Sequence, residues 1–522
     1  MLLEAYDRVL AYVRSSKGAA ARRPLQVKAL ERIEGSGRDS FLVCAPTGYG
    51  KSLITMSIAL HEFLQDSKVI AAYPLRALIE EQVSDMKKLF SFHGICSEFV
   101  GARHMGSRES PYLVHPVTLT TIDTLSLTAL GLSPEDTGRV FRKVSGSLFG
   151  SLGHYLFSWS SVFSSSFIIM DEIHLMYDSS KSLSFLRALM DMCEDTGVRT
   201  ILMTATLPRK FEGVLPRGKV ERLGFSRDDD PEFYGERSSK KYRVELLYLK
   251  SGEKLSRIRE VLAKSDFRRA LVVFNTVEDA VSFYKLLEGR KVLLHSRFTE
   301  EDKRDKLRRL KELQDLGEKH VVVGTQAIEA GVNISSDLIV TEVAPPISLV
   351  QRFGRFLRYA EKSGRAFVWV EEDSLDSESE VYKVYNKELV KRTLDYLNSN
   401  SDVNLHISYD DFMDKVYLEE PRVDYDIIRK MRVILTDLTR PSTSALKLFI
   451  RLEGSFVREG SLFTVVSENG YEVNVSFEYL YRQKRMGLCD DCPEDVYEAL
   501  IDSLAGRRFH VHVGYDREVG LT

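Results

Sequence analysis

Eight consecutive residues, Ala45, Pro46, Thr47, Gly48, Tyr49, Gly50, Lys51 and Ser52, separate an apolar run at 41–44 from a segment of helical period that begins at Lys51. That spacing is a phosphate-binding loop: backbone N–H groups cradle the phosphates, Lys51 reaches the β and γ phosphates, and the Ser52 hydroxyl ligates Mg²⁺. The first glycine of the general pattern is Ala45 here. A second apolar run, 167–170, ends in paired carboxylates. Asp171 would hold the metal through water and Glu172 would orient and deprotonate an attacking water. His174, just beyond, is either a polar contact or a sensor of the nucleotide across a cleft. Thr204 and Thr206 follow a third run and could pass the nucleotide's state to an interface, or simply cap a helix. The Gln26 amide offers a donor and an acceptor edge to adenine, or lies on the surface. These residues call for ATP and Mg²⁺ as cofactors.

Such loops work only at the ends of buried strands, and the elements around them fit. Strand-like runs at 41–44, 69–73, 117–120, 167–170 and 200–203 alternate with helix-length segments, which predicts a parallel doubly wound sheet. The first domain closes near residue 215. Residues 216–241, rich in charge with Asp228, Asp229, Asp230 and Pro231, read as a linker. Alternation restarts at 244–249, 270–274, 292–294, 321–323, 338–341 and 366–370, giving a second domain over 242–375. Residues 376–522 mix helical periods with short alternating runs and read as an α+β accessory domain. The fold class is α/β: two tandem RecA-like domains plus a smaller C-terminal domain. A nucleotide can be sandwiched between two domains of one type.

Composition sets the limits. The chain has 522 residues, 43% hydrophobic and 29% charged, enough for about three packed cores. No run reaches the roughly eighteen apolar residues of a membrane span, and Glu4, Asp7, Arg8 and Arg14 interrupt the N-terminal apolar pattern, so neither a membrane partner nor a secretory signal is expected. The expected location is cytoplasmic, with the five cysteines as free thiols. A net charge of −3 does not announce nucleic-acid binding, which must rest on local groups. Cys489 and Cys492 have zinc-knuckle spacing with no second pair close in sequence, so no metal is expected there. The Ser-rich stretch 144–166 is either a packed helical insertion or a DNA-facing one.

The order of these motifs resembles the DExD/H group of superfamily-2 helicases. Residues 351–358, Gln-Arg-Phe-Gly-Arg-Phe-Leu-Arg, match that group's Q-R-x-G-R-x-x-R signature. The resemblance implies that Arg355 and Arg358, i and i+3 on one helical face, act as arginine fingers on the γ-phosphate, with Gln351 approaching it, while Arg352 could be solvated. Residues 325–333 supply the preceding motif, with Gly331 and Asn333 near the nucleotide. Finer wording at 274–277, 294–298, 339–345 and 515–521 is similar to the CRISPR-associated helicase of type I interference systems. Asn333 departs from the Asp usual in that family. The resemblance implies a monomeric motor on single-stranded DNA, recruited to a guide-RNA surveillance complex. None of the eleven histidines is followed by Asp, and about twenty residues precede Gln26, so an HD-type nuclease is expected as a separate subunit. It also implies backbone contacts from Pro74, Arg76, Thr120, Thr121, Asn275, Thr276, His295, Arg297 and Thr325. Taken singly, each of these could be a cap or a turn.

Overall fold

The computed structural model describes residues 1–522 except 19, 217, 330, 437–440 and 522. Eight strands form the first sheet: β1 (Ser40–Cys44), β2 (Val69–Tyr73), β3 (Val100–His104), β4 (Ser107–Arg108), β5 (Val117–Thr121), β6 (Phe167–Met170), β7 (Arg199–Thr204) and β8 (Val220–Gly224). Their order is β4-β3-β5-β2-β6-β7-β1-β8, and only the β3–β4 pair is antiparallel. The central runs, 41–44 in β1 with all of β2 and β6, are apolar throughout because both faces are covered. Phe41, Val43, Val69 and Ala71 enter a core under the helices Leu2–Lys17, Lys51–Leu64 and Arg76–Phe92. The alternate residues Leu42, Ile70, Ile168 and Met170 enter the opposite core.

The second sheet comprises β9 (Val244–Leu249), β10 (Arg269–Val273), β11 (Lys291–Leu294), β12 (His320–Gly324), β13 (Leu338–Glu342) and β14 (Arg365–Glu371). Its order is β11-β12-β10-β13-β14-β9, all parallel. Helices begin where side chains cap them: Thr121, Thr276 and Thr299 each accept the backbone N–H three residues on.

Parallel pairing puts all strand C-termini of a sheet on one edge, and strand order then divides that edge. In the first sheet, the strands before the phosphate loop, the carboxylates and the two threonines (β1, β6, β7) are neighbours. Those before Thr121 and Pro74 (β5, β2) lie beside them.

Three expectations need correction. Residues 216–241 are not a free linker, because β8 pairs with β1 as the sheet's edge strand and Pro231–Ser238 is a helix capped by Asp230. Val220, Leu223 and a buried Phe233 supply the apolar contacts that the charge-rich sequence concealed. The accessory region carries a three-stranded sheet (Leu462–Val466, Glu472–Ser476, Phe509–His510) as the pattern suggested, but it is not a separate body. Helix Tyr425–Thr436 packs on Ser180–Thr196 of the first domain, and Lys181 donates to the Leu452 carbonyl at 2.7 Å. Cys489 and Cys492 are disulfide-bonded rather than free. Helix Tyr155–Phe163, in the Ser-rich stretch, buries Ser158, Ser161 and Val162, while Leu148 and Phe149 project outward.

Candidate active site

The phosphate loop connects β1 to helix Lys51–Leu64, and it turns tightly because Gly48 and Gly50 adopt φ of +83° and +90°. Lys51 is buried, donates weakly to the Ala45 carbonyl at 3.4 Å, and sits 4.0 Å from Glu172 Oε1. Ser52 stands one residue into the helix, half-buried at the loop's mouth. Thr47 Oγ1 is buried without a hydrogen-bond partner, an orphan a phosphate or its water would satisfy.

Glu172 holds a left-handed backbone conformation (φ +53°), costly for a branchless acid but tolerated where function fixes geometry. Its N–H donates to Asp171 Oδ1 at 2.8 Å. Burial, then the neighbouring Glu172 charge, raises the Asp171 pKa. Glu172, although burial also pushes it up, is held low by Lys51 and His174, which keeps it ionised.

A polar chain crosses the cleft from this acid. His174 Nδ1 lies 3.3 Å from Glu172 Oε2 and 3.2 Å from Thr204 Oγ1. The Thr206 N–H donates to Thr204 Oγ1 at 3.2 Å, and Gln351 Nε2, from the second domain, donates to Thr206 Oγ1 at 3.3 Å. The two threonines are therefore not helix caps. The domains also touch where a Cβ on Gly354 would meet Thr47 Cγ2 at 3.1 Å.

Several residues sit otherwise than the sequence suggested. Helix Pro346–Phe353 ends before the arginine pair, because Gly354 follows, Phe356 bridges to Ser336 and Leu357 takes φ +47°. Arg355 and Arg358 thus lie on a turn, not on one helical face. Arg355 donates to the carbonyls of Ile328 (3.2 Å) and Glu329 (2.9 Å), and burial followed by the Arg358 charge lowers it to about 9. Arg358 Nη1 is buried with no partner. Arg352 is not solvated but 0% exposed, bonding Glu329, Thr341, the Glu342 carbonyl, Asn275 and Tyr385. Gln26 does not reach for adenine: it is 1% exposed, its amide nitrogen donates to the carbonyls of Tyr49 and Gly50 (3.0 and 2.8 Å), and its oxygen accepts from Tyr6. Tyr49 likewise turns away from the cleft, its ring edge-on to Phe233 at 5.0 Å and its hydroxyl donating to Asp230 at 3.1 Å. Pro46 is buried in the loop, Gly331 has φ +77°, and Asn333 accepts from the Tyr359 hydroxyl.

The residues expected to touch nucleic acid share the strand-end edges, but most are already engaged. Thr120 donates to the Arg103 carbonyl at 2.7 Å and Thr121 and Thr276 are N-caps. Asn275 accepts from Arg352 at 3.0 Å and donates to the Val343 carbonyl at 2.8 Å, and Thr325 is buried. His295 stacks on Phe298 under the C-terminal hairpin, Nε2 3.0 Å from the Val519 carbonyl, and burial lowers it to about 3. Pro74, Arg76 and Arg297 keep partial exposure. Arg76 faces Glu300 at 3.6 Å across the domains, and Arg297 pairs with Glu278 at 3.0 Å. A cleft of about 530 Å³ between Tyr177, Pro345, Tyr385 and Tyr417 carries Asp178, Glu388, Glu419 and Glu420 against Arg392 and Arg422, a net acidic lining poorly suited to a phosphate backbone.

Comparison with known proteins agrees with this architecture. Residues 23–214 match the DEAD/DEAH box helicase family, and 266–361 match the C-terminal part of the CRISPR-associated nuclease/helicase Cas3 family. The chain is 25% identical over 358 residues to the CRISPR-associated helicase Cas3 of Thermoproteus tenax, covering 65% of this chain and 57% of that protein. It is 23% identical over 471 residues to the CRISPR-associated nuclease/helicase Cas3 of Methanothermobacter thermautotrophicus, covering 83% and 52%. The chain thus spans a little over half the length of these relatives. The crystal structure of T. fusca Cas3 superposes with a TM-score of 0.64 at 17% identity, over 88% of this chain and 61% of that one, and so shares the fold. Both RecA-like domains and their motifs agree with these matches: residues 23–214 are similar to DEAD/DEAH box helicases and residues 266–361 to the C-terminal part of Cas3.

Proposed function

We propose that the protein hydrolyses ATP to translocate along single-stranded DNA and unwind it for CRISPR-type interference. The observation that carries this is the polar chain Glu172, His174, Thr204, Thr206 and Gln351, which ties the hydrolytic acid of one domain to the other domain. Lys51 and the loop amides hold the phosphates, and Glu172 takes a proton from the attacking water. Mg²⁺ arriving with the nucleotide and held by Ser52 and Asp171 supplies charge neutralisation at the phosphates. Arg358, with its unpaired Nη1, faces the γ-phosphate from the second domain, and Arg355 sits behind it on the motif's backbone. Loss of the γ-phosphate removes the anion both domains grip, so the cleft reopens and the strand advances.

Arg76, Arg297 and Pro74 are the groups best placed to meet the DNA backbone. Strand scission is assigned to a separate HD-type nuclease partner, the reading that the resemblance implies; among the described residues the one metal-suited group is Cys489, Asp491 and Cys492, whose sulfurs form a disulfide. A guide-RNA complex is the proposed recruiting partner, since a chain of this fold occurs in the structure of a CRISPR RNA-guided surveillance complex (TM-score 0.60, 15% identity, 96% of this chain and 70% of that one). The site of action is proposed to be the cytoplasm. Steady-state ATPase assays with no nucleic acid, single-stranded DNA or single-stranded RNA test this reading. Selective stimulation by DNA, with the DNA left uncut, is expected. Equal stimulation by RNA would replace it with a general helicase.

A further inference from the structure

The segment joining the two sheets reaches the phosphate loop. Helix Pro231–Ser238 starts at Asp230, whose Oδ1 accepts from the Phe233 N–H at 3.0 Å while Oδ2 accepts from the Tyr49 hydroxyl at 3.1 Å. Its far end is fastened to the second domain, where Lys240 Nζ donates to the Glu361 carbonyl at 2.8 Å. Between these anchors lies Arg237, 8% exposed. Its Nη2 stands 3.0 Å from the point a Cβ on Gly48 would occupy, so the guanidinium rests on the phosphate loop itself. Nη1 donates to the Arg358 carbonyl at 2.9 Å, and Nε is buried with no partner. Burial, with Arg358 and Arg23 nearby, lowers its affinity for its proton, although Glu236 works the other way.

A buried guanidinium with an unmade donor beside two other arginines is costly unless an anion joins it. Contact with the Phe233 ring, 5.1 Å away, does not satisfy an N–H in the guanidinium plane. We infer that Arg237 is a phosphate ligand of the bound nucleotide, supplied by the interdomain segment and forming a third cationic contact with Lys51 and Arg358. The guanidinium fork suits a phosphate's two oxygens, and its bond to the Arg358 carbonyl would bring the fingers and the connecting helix to the nucleotide together. This rests on the ATP-site reading above.

The test uses the full chain with Arg237→Gln and Arg237→Lys, measuring the KM for ATP, kcat, and the rise in Tm on adding the non-hydrolysable analogue AMPPNP. The expected result is a KM raised roughly ten- to hundredfold in Arg237→Gln, a smaller rise in Arg237→Lys, and a diminished AMPPNP-induced Tm rise while the unliganded Tm stays at the wild-type value. An unchanged KM, or an unliganded Tm that falls while the AMPPNP-induced rise survives, would overturn the inference and make Arg237 a packing residue. If the wild-type chain shows no AMPPNP-induced rise and no ATP turnover, the ATP-site reading itself fails and the inference with it.

Discussion

The two working edges of this molecule are built from the same elements, the C-terminal ends of parallel strands, yet they are provisioned differently. At the proposed nucleotide edge, Thr47 Oγ1, His174 Nε2, Arg237 Nε and Arg358 Nη1 are buried without hydrogen-bond partners. At the nucleic-acid edge, Thr120, Thr121, Asn275 and His295 already have theirs. A site that must enclose a small anion keeps donors unsatisfied until it arrives, whereas a backbone track can be assembled from main-chain groups and a few mobile arginines.

The sharpest break of this contrast is Glu172→Gln, which should reduce ATP turnover on the order of 10²–10⁴-fold while AMPPNP still raises Tm. Lys51→Ala should lose turnover by about 10²–10³-fold and weaken nucleotide binding as well. If either variant kept near-wild-type turnover, the nucleotide edge would be misassigned. Next in size is stability: Arg352→Met leaves Glu329 buried and unpaired, a change worth about 3–5 kcal/mol in denaturant unfolding when a buried ion pair is broken. Arg352→Lys should rescue it poorly, since one ammonium cannot serve the five partners. Within the nucleic-acid edge, Asn275→Ala should cost about 1–3 kcal/mol of stability with little loss of DNA affinity at equal folded fraction. Arg76→Ala should do the reverse, lowering DNA affinity and reducing the slope of log K against log salt by about one. An Asn275 variant that folds normally yet fails to bind DNA would erase the distinction.

The smallest effect is one of pH. Burial raises the Glu342 carboxyl to about 7, even though the Asn275 N–H (2.7 Å) and the Tyr382 hydroxyl (2.9 Å) donate to it. A raised folded-state pKa means that the group's contribution is fully present below its unfolded value and lost as pH rises through about 7. Relative to Glu342→Gln, the wild-type Tm should therefore fall by roughly 2–4 °C between pH 6 and 8. A parallel pH course in the two proteins would show that Glu342 does not titrate there.

The sequence by itself determined the two sheets and their parallel sense, and it named the groups proposed for the nucleotide edge. Runs such as 167–170 and 338–341 admit only buried strands, and Lys51, Asp171 and Glu172 carry chemistry whose spacing along the chain is constrained by the strand that ends shortly before them. Val100–His104 and Val220–Gly224 escaped because Gly, Arg and Glu interrupt them and their pairing depends on neighbours distant in sequence. Only the tertiary structure decided which polar residues were spent on holding the fold. Gln26 props the phosphate loop, Arg352 binds strand ends together, and Arg237 crosses from the connecting helix to Gly48. A side chain's type shows what it can bond, but whether that capacity is used inside or left for a ligand depends on which groups the fold brings within about 3 Å, and those lie far away along the chain.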